Sequence, residues 1–235
     1  GLSSVDGVLS GFSEGSVLAG LAHDIDVPLN SITGDRPILA TAGVDAFAVG
    51  TVSVVVVGPT AANLDRLRAK WEAWIEEQEQ LHAPLDRSPP NLSSLQLLVE
   101  ADGRRMLLTG DGRGDHLLDA LDELGLLDEG GGIHVHLLKL PHHGSSRNVT
   151  PEFFTRVTAD TYVISANGKD DNPDRDTLEW LLAAAQAQQR TFTLVATNRT
   201  AHLDAFEASH PPETSGYTLR VLPAGAHFID VDLTP

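Results

Sequence analysis

A layered α/β or α+β domain is what this sequence predicts, and three observations predict it. Short apolar runs alternate along the chain with stretches whose apolar residues recur at helical spacing. Two of the apolar runs, Met106-Leu107-Leu108-Thr109 and Leu137-Leu138-Lys139-Leu140, stop abruptly in Gly-Asp-Gly and Pro-His-His-Gly turns. The composition, 41% hydrophobic over 235 residues, suffices for one sizeable core.

The elements follow in order. Ser13 caps an expected helix that runs to about Ile25 on Val17, Leu18, Leu21 and Ala22. A loop-rich segment to Gly50 leads into Thr51 to Val57, β-branched and apolar on both faces, which Gly58-Pro59 stops. Leu64, Leu67, Trp71, Trp74, Ile75 and Leu81 form the apolar stripe of a helix expected from Ala61 to Leu81, followed by a Pro-rich connection from His82 to Pro90. Leu95 to Glu100 and Met106 to Thr109, joined through Ala101-Asp102-Gly103, read as a hairpin. Leu117, Leu118, Leu121 and Leu124 mark a helix ending near Gly125, and Gly130-Gly131-Gly132 opens a strand from Ile133 to Leu140. A short helix (Pro151 to Val157), a strand (Tyr162 to Ser165), a helix (Asp176 to Gln189) and a strand (Thr191 to Ala196) come next. Tyr217 to Leu222 and His227 to Val231 read as a closing strand pair. No internal repeat or domain-sized linker interrupts this, so residues 1–235 are read as a single domain.

Composition narrows the function. There is no cysteine, which removes disulfides, thiolate nucleophiles and cysteine-bound zinc together; any zinc must sit on His and Asp or Glu. Net charge is −17, from 33 acidic and 16 basic residues, which argues against a broad basic track for nucleic acid or an anionic membrane surface. Bound metal ions can reverse that field locally, so a nuclease stays open. No apolar run is long enough to span a membrane, and a cytoplasmic setting is expected. The chain starts at Gly1 and its only methionine is Met106. The expectation is a processed or trimmed chain, produced for example by proteolysis, whose N-terminal part is a companion fragment or second chain.

The chemistry gathers at the two strand-end turns. Asp111 and the pair His142 and His143 are donors suited to a hydrolytic metal centre, each delivered by a turn directly after a buried strand. Adjacent histidines on an extended chain point in opposite directions, so one is expected to ligate and the other to pack or support it. Arg147 and Asn148, just past the Gly-Ser turn, suit an anionic substrate group, with Ser145 beside them. Ser145 and Ser146 lack the Gly-x-Ser-x-Gly setting of a serine hydrolase. His134 and His136 have a His-x-His spacing but read as one face of the strand entering the turn.

Asn91-Leu92-Ser93-Ser94, the hairpin ending Leu108-Thr109-Gly110-Asp111, and Leu138-Lys139-Leu140-Pro141-His142-His143-Gly144-Ser145 together resemble the second half of metallo-β-lactamase-fold hydrolases. The likeness runs from about Ser53 to Ala185 and is greatest to the cytoplasmic domain of bacterial DNA-uptake channel proteins. The resemblance implies the C-terminal portion of a four-layer αββα sandwich holding two divalent ions, zinc or manganese. It implies Asp111 as bridging carboxylate, His143 as the late histidine ligand, and Asn91 at a position where other branches place a histidine. The family's His-x-His-x-Asp-His motif is absent, so this chain is expected to be N-terminally incomplete and to supply half of the site; Asn172-Pro173 stands where relatives often have His-Pro. The implied activity is a phosphodiesterase or nuclease acting on nucleic acid or a nucleotide. The alternative is a binding or regulatory fragment that keeps the fold without metal.

Overall fold

A computed structural model describes residues 17, 20–27, 33, 37–41, 46–66 and 93–233. Residues 13–16, 18 and 19 of the expected first helix, the apolar stripe of the expected second helix beyond residue 66, the Pro-rich connection and Asn91 lie outside the described residues.

Eight strands form one mixed sheet whose spatial order is the sequence order. β1 (Phe47–Val49), β2 (Val52–Gly58), β3 (Gln96–Ala101) and β4 (Arg104–Leu108) form an antiparallel meander. From β4 onward every pairing is parallel, through β5 (Ile133–Lys139), β6 (Val157–Ile164), β7 (Phe192–Ala196) and β8 (Tyr217–Val221). Parallel neighbours require crossovers, and helices supply them: α1 (Gly114–Glu123), α2 (Pro151–Arg156), α3 (Arg175–Ala187), and α4 (Ala201–Ser209) with the short α5 (Pro212–Ser215). Because the strand order always steps the same way, right-handed crossovers put these helices on one face. The observed α1–α2, α2–α3 and α3–α4 contacts agree with that single layer.

The core lies between the helices and the sheet. Leu98, Leu107, Leu138, Tyr162 and Leu194 occupy one register row and are all buried. Phe153, Phe154, Tyr162, Phe192, Tyr217 and Phe206 follow one another as a chain of ring contacts with centroids 5.4–6.5 Å apart. Both tyrosines and four of the seven phenylalanines of the chain lie in this one seam. The other face carries apolar rows over β2 to β5: Val54, Val99, Met106 and Leu137 share one, which continues into Thr161 and Thr193, and the next runs through Val56, Leu97, Leu108, Lys139, Val163 and Val195.

β5 and β6 carry a coordinated irregularity. Ile133 and Val135, then Leu138 and Leu140, belong to the core; so do Val157 and Ala159, then Tyr162 and Ile164. The alternation slips by one residue in both strands at the same level, around His136 and Asp160, while the register on either side is kept. The Ala159 amide donates to the Tyr162 hydroxyl at 3.0 Å, so a core side chain supplies an acceptor at the slip.

Two readings of the sequence change. The strand expected from Tyr162 starts at Val157, because parallel pairing with β5 carries the chain through Asp160 despite its charge. His227 to Val231 is not a strand: β8 pairs in parallel with β7, and the tail meets it through the Arg220 guanidinium donating to the Asp230 carbonyl. The helix α4, unforeseen, starts on Thr200, whose hydroxyl accepts from the Leu203 amide.

Burial pushes the hydroxyls of both tyrosines up, Tyr217 to about 12 with Glu207 and Glu213 adding to the effect. A folded-state value above the unfolded one means stabilisation that is complete below about pH 10 and lost as pH rises through the folded-state value. Tyrosinate absorbance of the native protein should therefore stay flat through pH 10 and rise together with loss of folded structure. An independent rise near pH 10 with the fold intact contradicts this burial.

Candidate functional site

Parallel strands end on one edge, and the loops beyond β4, β5, β6 and β7 collect there, the usual place for a site in such a sheet. The turn after β4 is built first. The Thr109 hydroxyl donates to the Lys139 carbonyl at 2.6 Å, and the Asp111 amide donates to the Ser94 hydroxyl at 3.2 Å. Gln96, 3% exposed, lies under this turn. A Cβ on Gly58 would come within 2.2 Å of its Oε1, and one on Gly112 within 2.6 Å of its Nε2. Both glycines are therefore the space the glutamine fills. Its Nε2 has no hydrogen-bond partner.

The turn after β5 departs from the extended chain expected for the two histidines. His142 (φ 43°), His143 (φ 60°) and Gly144 (φ 84°) lie consecutively in the left-handed region. For the two histidines this costs on the order of 1–2 kcal/mol each. Surrounding bonds hold the turn in place: the His142 amide donates to the Gly110 carbonyl at 3.1 Å, the Ser145 amide to the His142 carbonyl at 3.0 Å, and the Asp174 amide to the Gly144 carbonyl at 3.0 Å. A side chain at 144 is also barred by space, since its Cβ would be 2.8 Å from Pro173 Cβ. The two imidazoles lie 5.8 Å apart at their centroids, tilted by 59°.

Hydrogen-bond partners fix where each ring carries its proton. His143 Nδ1 bonds the Ser165 carbonyl, which can only accept, so Nδ1 is the donor and the neutral ring keeps its lone pair on Nε2. That Nε2 lies 3.6 Å from Asp111 Oδ1, both side chains being about two-fifths exposed. Asn148 does the corresponding work for His142. Its Nδ2 donates to the Asp111 carbonyl at 3.1 Å, which leaves Oδ1 to accept from His142 Nδ1 at 2.8 Å. One amide thus ties the two turns together.

Of the residues expected at a site, Asp111, His142 and His143 are brought together. Asn148 and Ser145, read from the sequence as substrate contacts, sit inside the loop instead, 3% and 5% exposed with their polar atoms engaged. Arg147 is exposed beside them, and Asn91 lies outside the described residues. The Ser146 hydroxyl donates to Asp174 Oδ2 at 2.8 Å and the Ser145 hydroxyl lies 3.5 Å from the same atom. Neither is set against an imidazole, which leaves a serine nucleophile without a base. His134 and His136 stay on their strand, their Nδ1 atoms bonded to the Thr158 hydroxyl and the Arg105 amide.

Sequence reasoning missed two residues. Lys139 donates to the Gly110 carbonyl at 3.0 Å; burial pushes its ammonium below the ordinary range, against the nearby charge of Asp111. Asp174 accepts from the Ser146 amide at 2.7 Å and from its hydroxyl, and so clasps the loop that follows the histidines.

Two donors on one zinc-like ion, each about 2.0–2.2 Å from it, lie about 3–4 Å from each other. Asp111 Oδ1 and His143 Nε2 meet that requirement, and a histidine anchored through Nδ1 to a carbonyl is the usual arrangement of a metal-binding imidazole. Among the described residues no group of three or more His, Cys, Asp or Glu converges. Neither protein-family models nor curated proteins give a match to this chain. No helix among the described residues is long and apolar enough to cross a membrane.

Replacing Asn148 by alanine removes both arms of the tie and orphans the His142 Nδ1–H. The expected cost is about 2–4 kcal/mol in chemical denaturation, with loss of the exchange-protected His142 Nδ1 proton resonance. A variant that keeps that resonance and its stability contradicts the role assigned to Asn148.

Proposed function

We propose that this chain is a metal-dependent hydrolase of metallo-β-lactamase type acting on phosphate esters, with Asp111 and His143 as two of its metal ligands. One observation carries the reading: the Nε2 lone pair of His143, left there by the Nδ1 bond to Ser165, faces the Asp111 carboxylate at 3.6 Å. Two electron-rich atoms so placed repel unless a cation or a bridging donor lies between them or the ring is protonated. A divalent ion, zinc or manganese, supplies Lewis acidity toward a phosphoryl oxygen and a bound water of lowered pKa.

The protein's own part is positioning. The left-handed turn aims His143, Asn148 holds the Asp111 backbone to His142, and Lys139 places a positive charge beside the carboxylate. Apolar rows on both faces of β2 to β5 are what an inner sheet of an αββα sandwich presents, which supports the four-layer fold. The remaining ligands then come from residues outside those described or from a companion chain. The phosphodiester preference, and with it a nuclease or nucleotide substrate, comes from the resemblance in sequence.

One observation favours a second reading, a binding or regulatory module without metal. No third donor joins Asp111 and His143 among the described residues, and a protonated His143 pairs with Asp111 directly.

Metal uptake separates the two. After chelator treatment, the protein should take up Zn2+ or Mn2+ stoichiometrically, and Asp111→Ala or His143→Ala should weaken uptake by about 100-fold or more. Hydrolysis of an activated phosphodiester should then require the metal. Uptake that is absent, or indifferent to both substitutions, overturns the catalytic reading and leaves the binding module.

A further inference from the structure

Beside His143 the loops after β6 and β7 line a cavity of about 250 Å³ that is open to solvent. Its walls are Ser165, Asn167, Asn172, Thr197 and Asn198, with His143 at one end. The size lies just under the range of about 300–1,000 Å³ typical of small-molecule pockets, enough for one ring and not for a polymer. Among the described residues that line it, Asp170 is the one ionisable group besides His143, and none is a lysine or arginine. With a net charge of −17 on the chain, an anionic group finds no partner inside this cavity. Nor is any of the described lining residues a phenylalanine, tyrosine or tryptophan, so among them a flat base has no aromatic ring to stack on.

The cavity does offer unspent neutral hydrogen-bonding capacity of both kinds. Asn198 uses Nδ2 on the Ala166 carbonyl and the Thr197 hydroxyl, which leaves Oδ1 as an acceptor. Asn167 uses Oδ1 on the Lys169 amide, which leaves Nδ2 as a donor. Both loops are held by bonds between Thr197 Oγ1 and the Ala166 backbone, so these groups are fixed before any ligand arrives. Sugar hydroxyls donate and accept at once, and adjacent ones need donors and acceptors side by side.

Resting on the metal-site reading above, we propose that the cavity is the subsite for an uncharged polyhydroxylated ring, a pentose or hexose, whose phosphate ester reaches toward Asp111 and His143. The substrate class is thus a sugar phosphate or an ester carrying one, with the anion at the metal end and the hydroxyls between Asn167 and Asn198.

Amide resonances of Asn167, Gly168 and Asn198, followed during titration of the whole protein, test this with ribose, ribose 5-phosphate and inorganic phosphate, with and without Zn2+. Ribose and ribose 5-phosphate should both shift these amides and inorganic phosphate should not; Zn2+ should tighten ribose 5-phosphate about tenfold or more and leave ribose unchanged. Asn198→Ala and Asn167→Ala should each weaken both sugar ligands with unchanged Zn2+ uptake. If no ribose ligand shifts these amides, or inorganic phosphate shifts them equally, the sugar subsite is overturned even though Zn2+ binds. If sugars bind there and Zn2+ does not, the subsite stands and the metal reading falls.

Discussion

Two neighbouring strands, β4 and β5, run side by side and stop together, and everything at this edge depends on how their two turns are tied. Backbone alone ties them once, His142 N–H to the Gly110 carbonyl. Asn148 then returns from further along the chain and bonds to both, to Asp111 through its NH2 and to His142 through its oxygen. Its own carbonyl accepts from the Gly114 amide at 2.7 Å, so the first turn of α1 is fixed by the same residue. The tie gives rigidity to a segment with two non-glycine residues in left-handed conformation, a segment that would otherwise relax.

The rest of the fold serves this edge by keeping strands in register beneath it. Parallel pairing runs unbroken from β4 to β8 at the level of Leu138, Tyr162 and Leu194, directly below the functional loops. The irregularity at His136 and Asp160 lies in the middle of β5 and β6, so the face change is completed before the chain reaches His142.

Much of this was legible in the sequence because it depends on local chemistry. Apolar runs broken by Gly-Asp-Gly and Pro-His-His-Gly mark strand ends whatever surrounds them, and Leu117, Leu118 and Leu121 mark a helix by spacing alone. The conformation of the histidines was not legible. Nothing in a His-His pair favours left-handed backbone; the Gly110 carbonyl, Pro173 and Asp174 impose it from distant parts of the chain. Likewise Asn148 looks from its neighbours like a loop residue free to meet substrate, and only the approach of Asp111 spends its amide. Lys139 looked solvated because a strand-end lysine usually is. The start of β6 was hidden by Asp160, which breaks the apolar pattern but not the ladder. Thr200, three residues before Leu203, was a readable cap, yet the short helix behind it has few apolar positions to confirm it.

Gln96 with its two glycines has an evolutionary consequence. A side chain at 58 or at 112 collides with the glutamine amide, while shortening residue 96 alone opens a void beneath the Asp111 turn. Each substitution is damaging by itself, yet a smaller residue at 96 removes the shortest contact at both glycines, leaving the Thr109 carbonyl oxygen 3.2 Å from a Cβ at 112. The three positions are therefore epistatic, and the order of changes decides which are survivable. Drift at this spot must pass through residue 96 first, so related chains should differ at these positions as a set and seldom one at a time.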